Sequence, residues 1–244
     1  MGRSSASGIR DRFVTRHASD ARVSLRVRKP GEPARSKADV VREYGPLPNV
    51  ERINGVTFDG QAVWFATGDR LQSLEPGSGR TGRAITVAAD AGTAFDGHHL
   101  FQIAGGFIQK IDPATGAVVS TVASPAGGDS AGLTWAEGTL WVADHREHKI
   151  LQIDPASGKV LRTIASTKFV TGVTFVDGDL WHGTWENAAS ELRRVAPDTG
   201  EVLESLEMPE GMIVSGLESD GRELFYCGGG RTGTLRAVRR PRRS

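Results

Sequence analysis

Gly132-Leu-Thr-Trp-Ala-Glu-Gly138, Leu140-Trp141 and Ile153-Asp-Pro-Ala-Ser-Gly158 form a block that recurs along the chain. Its first element returns as Gly55-Val-Thr-Phe-Asp-Gly60, Gly92-Thr-Ala-Phe-Asp-Gly97, Gly172-Val-Thr-Phe-Val-Asp-Gly178 and Gly216-Leu-Glu-Ser-Asp-Gly221. The leading glycines lie 37, 40, 40 and 44 residues apart. A short run opening on Trp64-Phe65, Leu100-Phe101, Leu140-Trp141, Leu180-Trp181 or Leu224-Phe225 follows each copy. A third run then ends in Glu75-Pro-Gly-Ser-Gly79, Asp112-Pro-Ala-Thr-Gly116, Asp154-Pro-Ala-Ser-Gly158 or the looser Ala196-Pro-Asp-Thr-Gly200. Proline presets φ near −65° and glycine supplies positive φ, so each copy is a hairpin turn. A fourth run of alternating polarity, such as Lys159-Val-Leu-Arg-Thr-Ile164, completes the unit.

Four short strands joined by tight turns, repeated at about 40-residue spacing, read as the blades of an all-β, five-bladed β-propeller of antiparallel sheets. The fifth unit has only three strands, because Thr234-Leu-Arg-Ala-Val238 runs into Pro241. Its fourth is expected from the other end of the chain. Asp39-Val-Val-Arg-Glu-Tyr44 starts 16 residues before Gly55, against 13 from Lys159 to Gly172. A sixth blade has no residues to draw on, and an open sandwich does not explain four copies of one turn.

With 244 residues the chain can bury a sizeable core, and its single cysteine, Cys227, excludes an intrachain disulfide framework. No apolar run is long enough for a membrane span and no secretory leader is apparent, so a soluble, cytoplasmic monomer is expected. The net charge of +1 conceals an uneven distribution. Residues 1–43 carry 11 Lys or Arg against 5 Asp or Glu, and residues 236–244 carry five Arg and no acid. The body between them is therefore acidic, by about −10. Residues 1–36 read as a disordered basic tail, 37–241 as the propeller and 242–244 as a basic end. An acidic ring repels polyanions, so only the basic tail offers nucleic acid a surface, and a plain disordered tail is the favoured reading of that stretch.

In such a ring the loops entering the inner strands and leaving the second strands share one face, which makes that mouth the expected binding site for a small molecule or peptide. The residues before the inner-strand glycines are Asn54, Ala91, Ala131, Thr171 and Ser215. Polar and aromatic groups concentrate in the exits Asp144-His-Arg-Glu-His148 and Thr184-Trp-Glu-Asn187. His182 follows the strand aromatic where other blades have Phe65, Gln102, Val142 and Tyr226, and Trp185 and Glu186 follow it. Glu218 stands where other inner strands carry Thr57, Ala94, Thr134 and Thr174. His182, Glu186 and Glu218 are thus the candidates for acid/base catalysis, with Trp185, Asn54, Gln102, Asp144, His145 and Tyr226 as binding candidates. A buried interblade histidine is the competing reading of His182. Asp144, His145, Glu147 and His148 are ligand types for a divalent metal, but Arg146 among them opposes a cation, and no metal ligand is assigned. Cys227 reads as a small buried thiol, and Gly228-Gly-Gly230 is no phosphate loop because Gly-Lys-Ser/Thr and a helix are missing.

The Gly-x-Thr-Phe, Leu-Trp and Ile-Asp-Pro-x-Thr-Gly pattern resembles the glutamine cyclotransferase family, five-bladed propellers that form pyroglutamate at protein N-termini. Leu180-Trp-His-Gly-Thr-Trp-Glu-Asn187 followed by Leu192-Arg-Arg-Val195 is the most distinctive match. The resemblance implies a cyclotransferase-like transferase, with a Glu in proton transfer just before an inner-strand glycine. No Glu stands there in this chain, so Glu186, Glu218 or His182 would have to relay the proton from the α-amine to the leaving ammonia. A non-catalytic binding propeller is the main alternative. His182, Trp185 and Glu186 also resemble the chemistry of virginiamycin B lyases, which use His, Glu and a divalent ion, although that family has seven blades. The enzyme readings require His182, Trp185 and Glu186 or Glu218 to line one mouth.

Overall fold

The computed structural model describes residues 33–242, and almost every element in them is a strand. β1 (Ala34–Lys37) and β2 (Val40–Tyr44) precede the repeats. Blade one is β3 (Val56–Phe58), β4 (Val63–Ala66), β5 (Gly68–Leu74) and β6 (Thr81–Ala89). Blade two is β7 (Thr93–Phe95), β8 (Leu100–Ala104), β9 (Phe107–Ile111) and β10 (Val118–Ala123). Blade three is β11 (Ser130–Ala136), β12 (Thr139–Asp144), β13 (Lys149–Ile153) and β14 (Val160–Ala165). Blade four is β15 (Phe169–Val176), β16 (Asp179–Glu186), β17 (Ala189–Val195) and β18 (Val202–Glu207), and blade five opens with β19 (Leu217–Ser219), β20 (Leu224–Gly228) and β21 (Leu235–Arg239).

Each blade is an antiparallel meander, and β2 supplies the fourth strand of blade five by pairing with β21. The predicted closure is therefore present. β2 also repeats a contact made elsewhere in the ring. Arg83 of blade one donates to the Ala114 carbonyl in the turn of blade two, and Arg162 of blade three donates to Pro197 O of blade four at 2.9 Å. In β2, Arg42 donates to Pro76 O of blade one at 2.9 Å, and Tyr44 does so at 3.0 Å. The strand from the N-terminal side behaves as an ordinary outer strand reaching for the next blade's turn.

Those turns form for the expected reason. Gly79, Gly116, Gly158 and Gly200 all have φ between 71° and 79°. Asp112 accepts the Ala114 N–H at 2.7 Å and the Thr115 hydroxyl at 2.8 Å, fixing the turn before the glycine reverses it.

Apolar clusters fill the five gaps between blades. The axis is closed by glycines. A Cβ on Gly55 would lie 2.3 Å from Ala91 O, one on Gly92 2.4 Å from Leu133 N, one on Gly132 2.4 Å from Thr171 O, one on Gly172 2.3 Å from Leu217 N and one on Gly216 2.8 Å from Val56 N. The contacts run once around the ring. These residues are glycine because five inner strands must converge on one axis.

Two details depart from the sequence reading. β1 adds a fifth strand to blade four, parallel to β18, so regular structure starts at Ala34, inside the stretch read as tail. Ala-Arg-Ser-Lys has no apolar alternation, and its main chain, pairing with an edge, carries the interaction. Residues 1–32 and 243–244, with most of the basic tail, lie outside the described residues. The second departure is a phase shift in blade five. Thr57 pairs with Trp64, Ala94 with Phe101, Thr134 with Trp141 and Thr174 with Trp181, but Glu218 pairs with Tyr226. One extra residue in the blade-five hairpin puts Tyr226 at the aromatic position and Cys227 at the position of His182. Among the described residues no helix is long and apolar enough to cross a membrane.

Candidate functional site

The five inner-strand entries gather around one cavity, and its lining differs from the residues singled out in the sequence. A cavity of about 350 Å³ is bounded by Asn54, Ala91, Ala131, Thr171 and Ser215, the five inner-strand entries, together with Asp90, Gly128, Asp129, Ser130 and His145. No Lys or Arg lines it. Asp90 opens the linker between β6 and β7. Asp129 is carried by a single 3-10 turn, Gly127–Asp129, before β11, and the Ser130 hydroxyl braces that turn by donating to Gly127 O at 2.7 Å. Both carboxylates are exposed. Asp129 has one external partner, Arg146, at 3.7 Å.

His145 arrives from the exit of β12. Its Nδ1 lies 3.1 Å from Val170 O and its ring stacks on Phe169 with centroids 4.7 Å apart. A carbonyl only accepts, so Nδ1 is the donor of this bond. His148 packs its edge on the same Phe169 ring at 4.3 Å, and Trp185 pairs across the strand from Phe169, 44% exposed. An aromatic ledge of blades three and four thus shares the face of the mouth.

The candidate catalytic trio does not converge. His182 is 1% exposed and borders a small cavity of about 40 Å³ between blades three and four, among Ile150, Ile164 and Val195. Burial pulls its imidazole down to about 4, although the Gly183 carbonyl 3.2 Å from Nδ1 favours the charged form. His182 is the interblade histidine of the competing reading, because the position after the strand aromatic faces the preceding blade. Glu186 projects at the end of β16 and pairs with Lys168 at 3.4 Å. Lys168 also meets Glu191 at 3.1 Å, and Glu191 meets the buried Arg193 at 2.8 Å, so Glu186 is the exposed end of an ion-pair network.

Glu218 lies on the axis, two residues beyond the glycine of its inner strand. It accepts hydrogen bonds from the Thr174 hydroxyl, from Thr57 Oγ1 at 3.2 Å, from the Ser219 N–H at 2.9 Å and from Thr134. Burial nevertheless pushes its carboxyl up to about 7.

Three binding candidates are structural. Gln102 is fully buried, bonded to Thr93 Oγ1 at 2.6 Å and to Ala91 O at 3.0 Å. Asp144 caps its turn by accepting the Glu147 N–H at 2.9 Å. Tyr226 is a core residue against Phe58, its hydroxyl pushed up to about 12 by burial. Asn54 and His145 are at the mouth. Asp90 stands two residues before Gly92 and Asp129 three before Gly132, so neither shares the position directly before the inner-strand glycine. Among the described residues no three His, Cys, Asp or Glu side chains gather as a metal site.

His182 and Glu218 predict opposed pH dependences. A folded-state histidine held below its ordinary 6.5 contributes stability present above pH 6.5 and lost as pH falls toward about 4. A carboxyl held above its ordinary 4.5 contributes stability present below pH 4.5 and lost as pH rises through about 7. Wild-type stability is therefore expected to stay nearly level between these limits. Glu218→Gln should unmask the histidine slope and gain about 2 kcal/mol at pH 8, read from thermal midpoints across pH.

The fold can be set beside known proteins. The glutamine cyclotransferase family model matches residues 163–228. The crystal structure of Myxococcus xanthus glutaminyl cyclase superposes with a TM-score of 0.71 at 18% identity, over 85% of this chain and 98% of that one. The five-bladed fold is similar to that of this glutaminyl cyclase. Virginiamycin B lyase from Staphylococcus aureus is also similar, with a TM-score of 0.48 and 16% identity over 82% of this chain and 70% of that one. Hydrazine synthase from Kuenenia stuttgartiensis aligns with a TM-score of 0.47 and 16% identity over 73% of this chain and 56% of that one. No curated protein matches the chain.

Proposed function

We propose that this propeller is a binding module whose mouth takes a small amine-bearing ligand, such as the N-terminus of a peptide. The observation that carries the reading is the lining itself: two carboxylates, Asp90 and Asp129, with Asn54 and hydroxyl groups, and no lining cation. An ammonium group gains charge-assisted hydrogen bonds there, whereas an anion meets two like charges. Glu186 is tied to Lys168 and His182 is sealed between blades, so neither is available at the mouth.

One observation favours a second reading. His145 lines the cavity with its ring fixed by the Nδ1 bond to Val170 O, and an imidazole there could carry a proton from an α-amine to leaving ammonia during cyclisation. Calorimetric titration with a Gln-initiated peptide and its N-acetylated form, with mass spectrometry of the mixture, separates the two. The binding reading expects the free peptide to bind, the acetylated one to lose affinity at least tenfold, and no loss of ammonia. Loss of ammonia that disappears in His145→Ala establishes the second reading. Equal affinity for both peptides removes the first.

A further inference from the structure

The two basic stretches of the chain meet in one place. A cavity of about 560 Å³ opens between blades four and five, and Lys37, Arg222, Arg239, Arg240 and Arg242 all line it. Lys37 comes from the N-terminal stretch, and Arg239, Arg240 and Arg242 come from the C-terminal one. Arg222 lies in the β19–β20 hairpin and Asp177, another lining residue, in the β15–β16 hairpin, so the cavity is at the end of the inner strands away from the mouth. Leu206 and Pro241 wall it.

Three acids share the lining, and each already holds an arginine. Asp39 accepts from Arg239 Nε at 2.9 Å, Asp177 accepts from Arg240 Nη1, and Glu223 lies 3.6 Å from Arg242. Arg240, its side chain only 13% exposed, is fixed further by donating through Nε to Arg222 O at 3.0 Å. Among the described residues no carboxylate pairs with Lys37 or Arg222, and Glu207, opposite Lys37 in the β1–β18 register, does not line the cavity. Five cations against three acids leave two positive charges uncompensated, on a body that is otherwise acidic. The mouth has the opposite character, with two carboxylates and no cation in its lining. The position of β1 gains a reason as well. Its side chains bury little, and its main-chain pairing with β18 carries Ser36 and Lys37 to the cavity.

We infer that this cavity binds a small dianion of the phosphoryl class, a phosphate or a phosphate monoester, held by Lys37 and Arg222 beside the fixed Arg240 guanidinium. Two charges on the ligand match the two left over in the lining, and the planar fork of a guanidinium suits phosphoryl oxygens. Ser36 supplies a hydroxyl donor. The site does not depend on the ligand proposed for the mouth.

Calorimetric titration at pH 8 and low ionic strength, with inorganic phosphate and with glycerol phosphate as probes, tests the inference. Saturable binding of at least one probe is expected, with none for chloride at matched ionic strength. Lys37→Met and Arg222→Met should each weaken it about fivefold and the double variant about twentyfold, with thermal midpoints unchanged. Lys159→Met, beside the turn of blade three, should bind as wild type does. Equal affinity for the two probes assigns the site to the phosphoryl group alone, and tighter binding of the monoester assigns it to a phosphorylated small molecule. No saturable heat from either probe up to about 10 mM, or undiminished affinity in the double variant, would overturn the inference. Loss of peptide binding in the preceding experiment would leave this result unaffected.

Discussion

Gly172→Ala is expected to cost about 3 kcal/mol or more, enough to move the urea midpoint far to the left or prevent folding. The added Cβ would stand 2.3 Å from Leu217 N and 2.5 Å from Gly216 C. Both atoms belong to the backbone of the next inner strand, which cannot swing aside as a side chain does. Moving it would displace Gly216, whose own missing Cβ already faces Val56 N at 2.8 Å. Strain at one position is therefore passed around the ring. Gly178→Ala is the control. Gly178 has φ 81° with open space around it, so alanine there should cost only the left-handed backbone penalty, about 1 kcal/mol. Comparable losses in the two variants would refute close approach as the reason for the glycine ring.

Glu43→Ala should cost about 3 kcal/mol, although Glu43 is itself 41% exposed. The cost arises on Arg236, whose side chain is 6% exposed and donates to Glu43 Oε2 at 2.6 Å. Its Nη1 already lacks a partner. Truncating Glu43 leaves a buried guanidinium without its carboxylate, and this pair joins β2 to β21 where the ring closes. The double variant Glu43→Ala, Arg236→Met removes the stranded charge and should recover most of the stability in chemical denaturation. A double variant no more stable than Glu43→Ala would mean that the pair does not act through the buried charge.

Most of the architecture was readable because propeller blades are punctuated by residues with strong backbone preferences. Pro and Gly in the acid-Pro-x-Ser/Thr-Gly turns mark the third hairpin of each blade, and the inner-strand glycines mark the axis. The missing fourth strand after Val238 pointed directly to Asp39–Tyr44. The site was less legible. The insertion that moves Tyr226 into the aromatic position is one residue in a hairpin, invisible to a motif count. Periodicity also gives no sign of which side of a strand faces a neighbour, so the sequence leaves both readings of His182 open, although its position faces the preceding blade. Asp90 and Asp129 sit in linkers outside the repeat, where their spacing from the glycine differs between blades. A 3-10 turn brings Asp129 to the mouth, and nothing in Gly127-Gly-Asp129 announces that turn.

The account stands on recognition of an amine by the two mouth carboxylates. The most direct measurement is the affinity of wild type and of the Asp90→Asn, Asp129→Asn double variant for one peptide with a free N-terminus, by calorimetry at low salt. Two partly exposed ammonium–carboxylate contacts are each worth roughly 1 kcal/mol, so the double variant should bind about twentyfold more weakly, with unchanged thermal stability. Equal affinity in the two proteins would contradict the account.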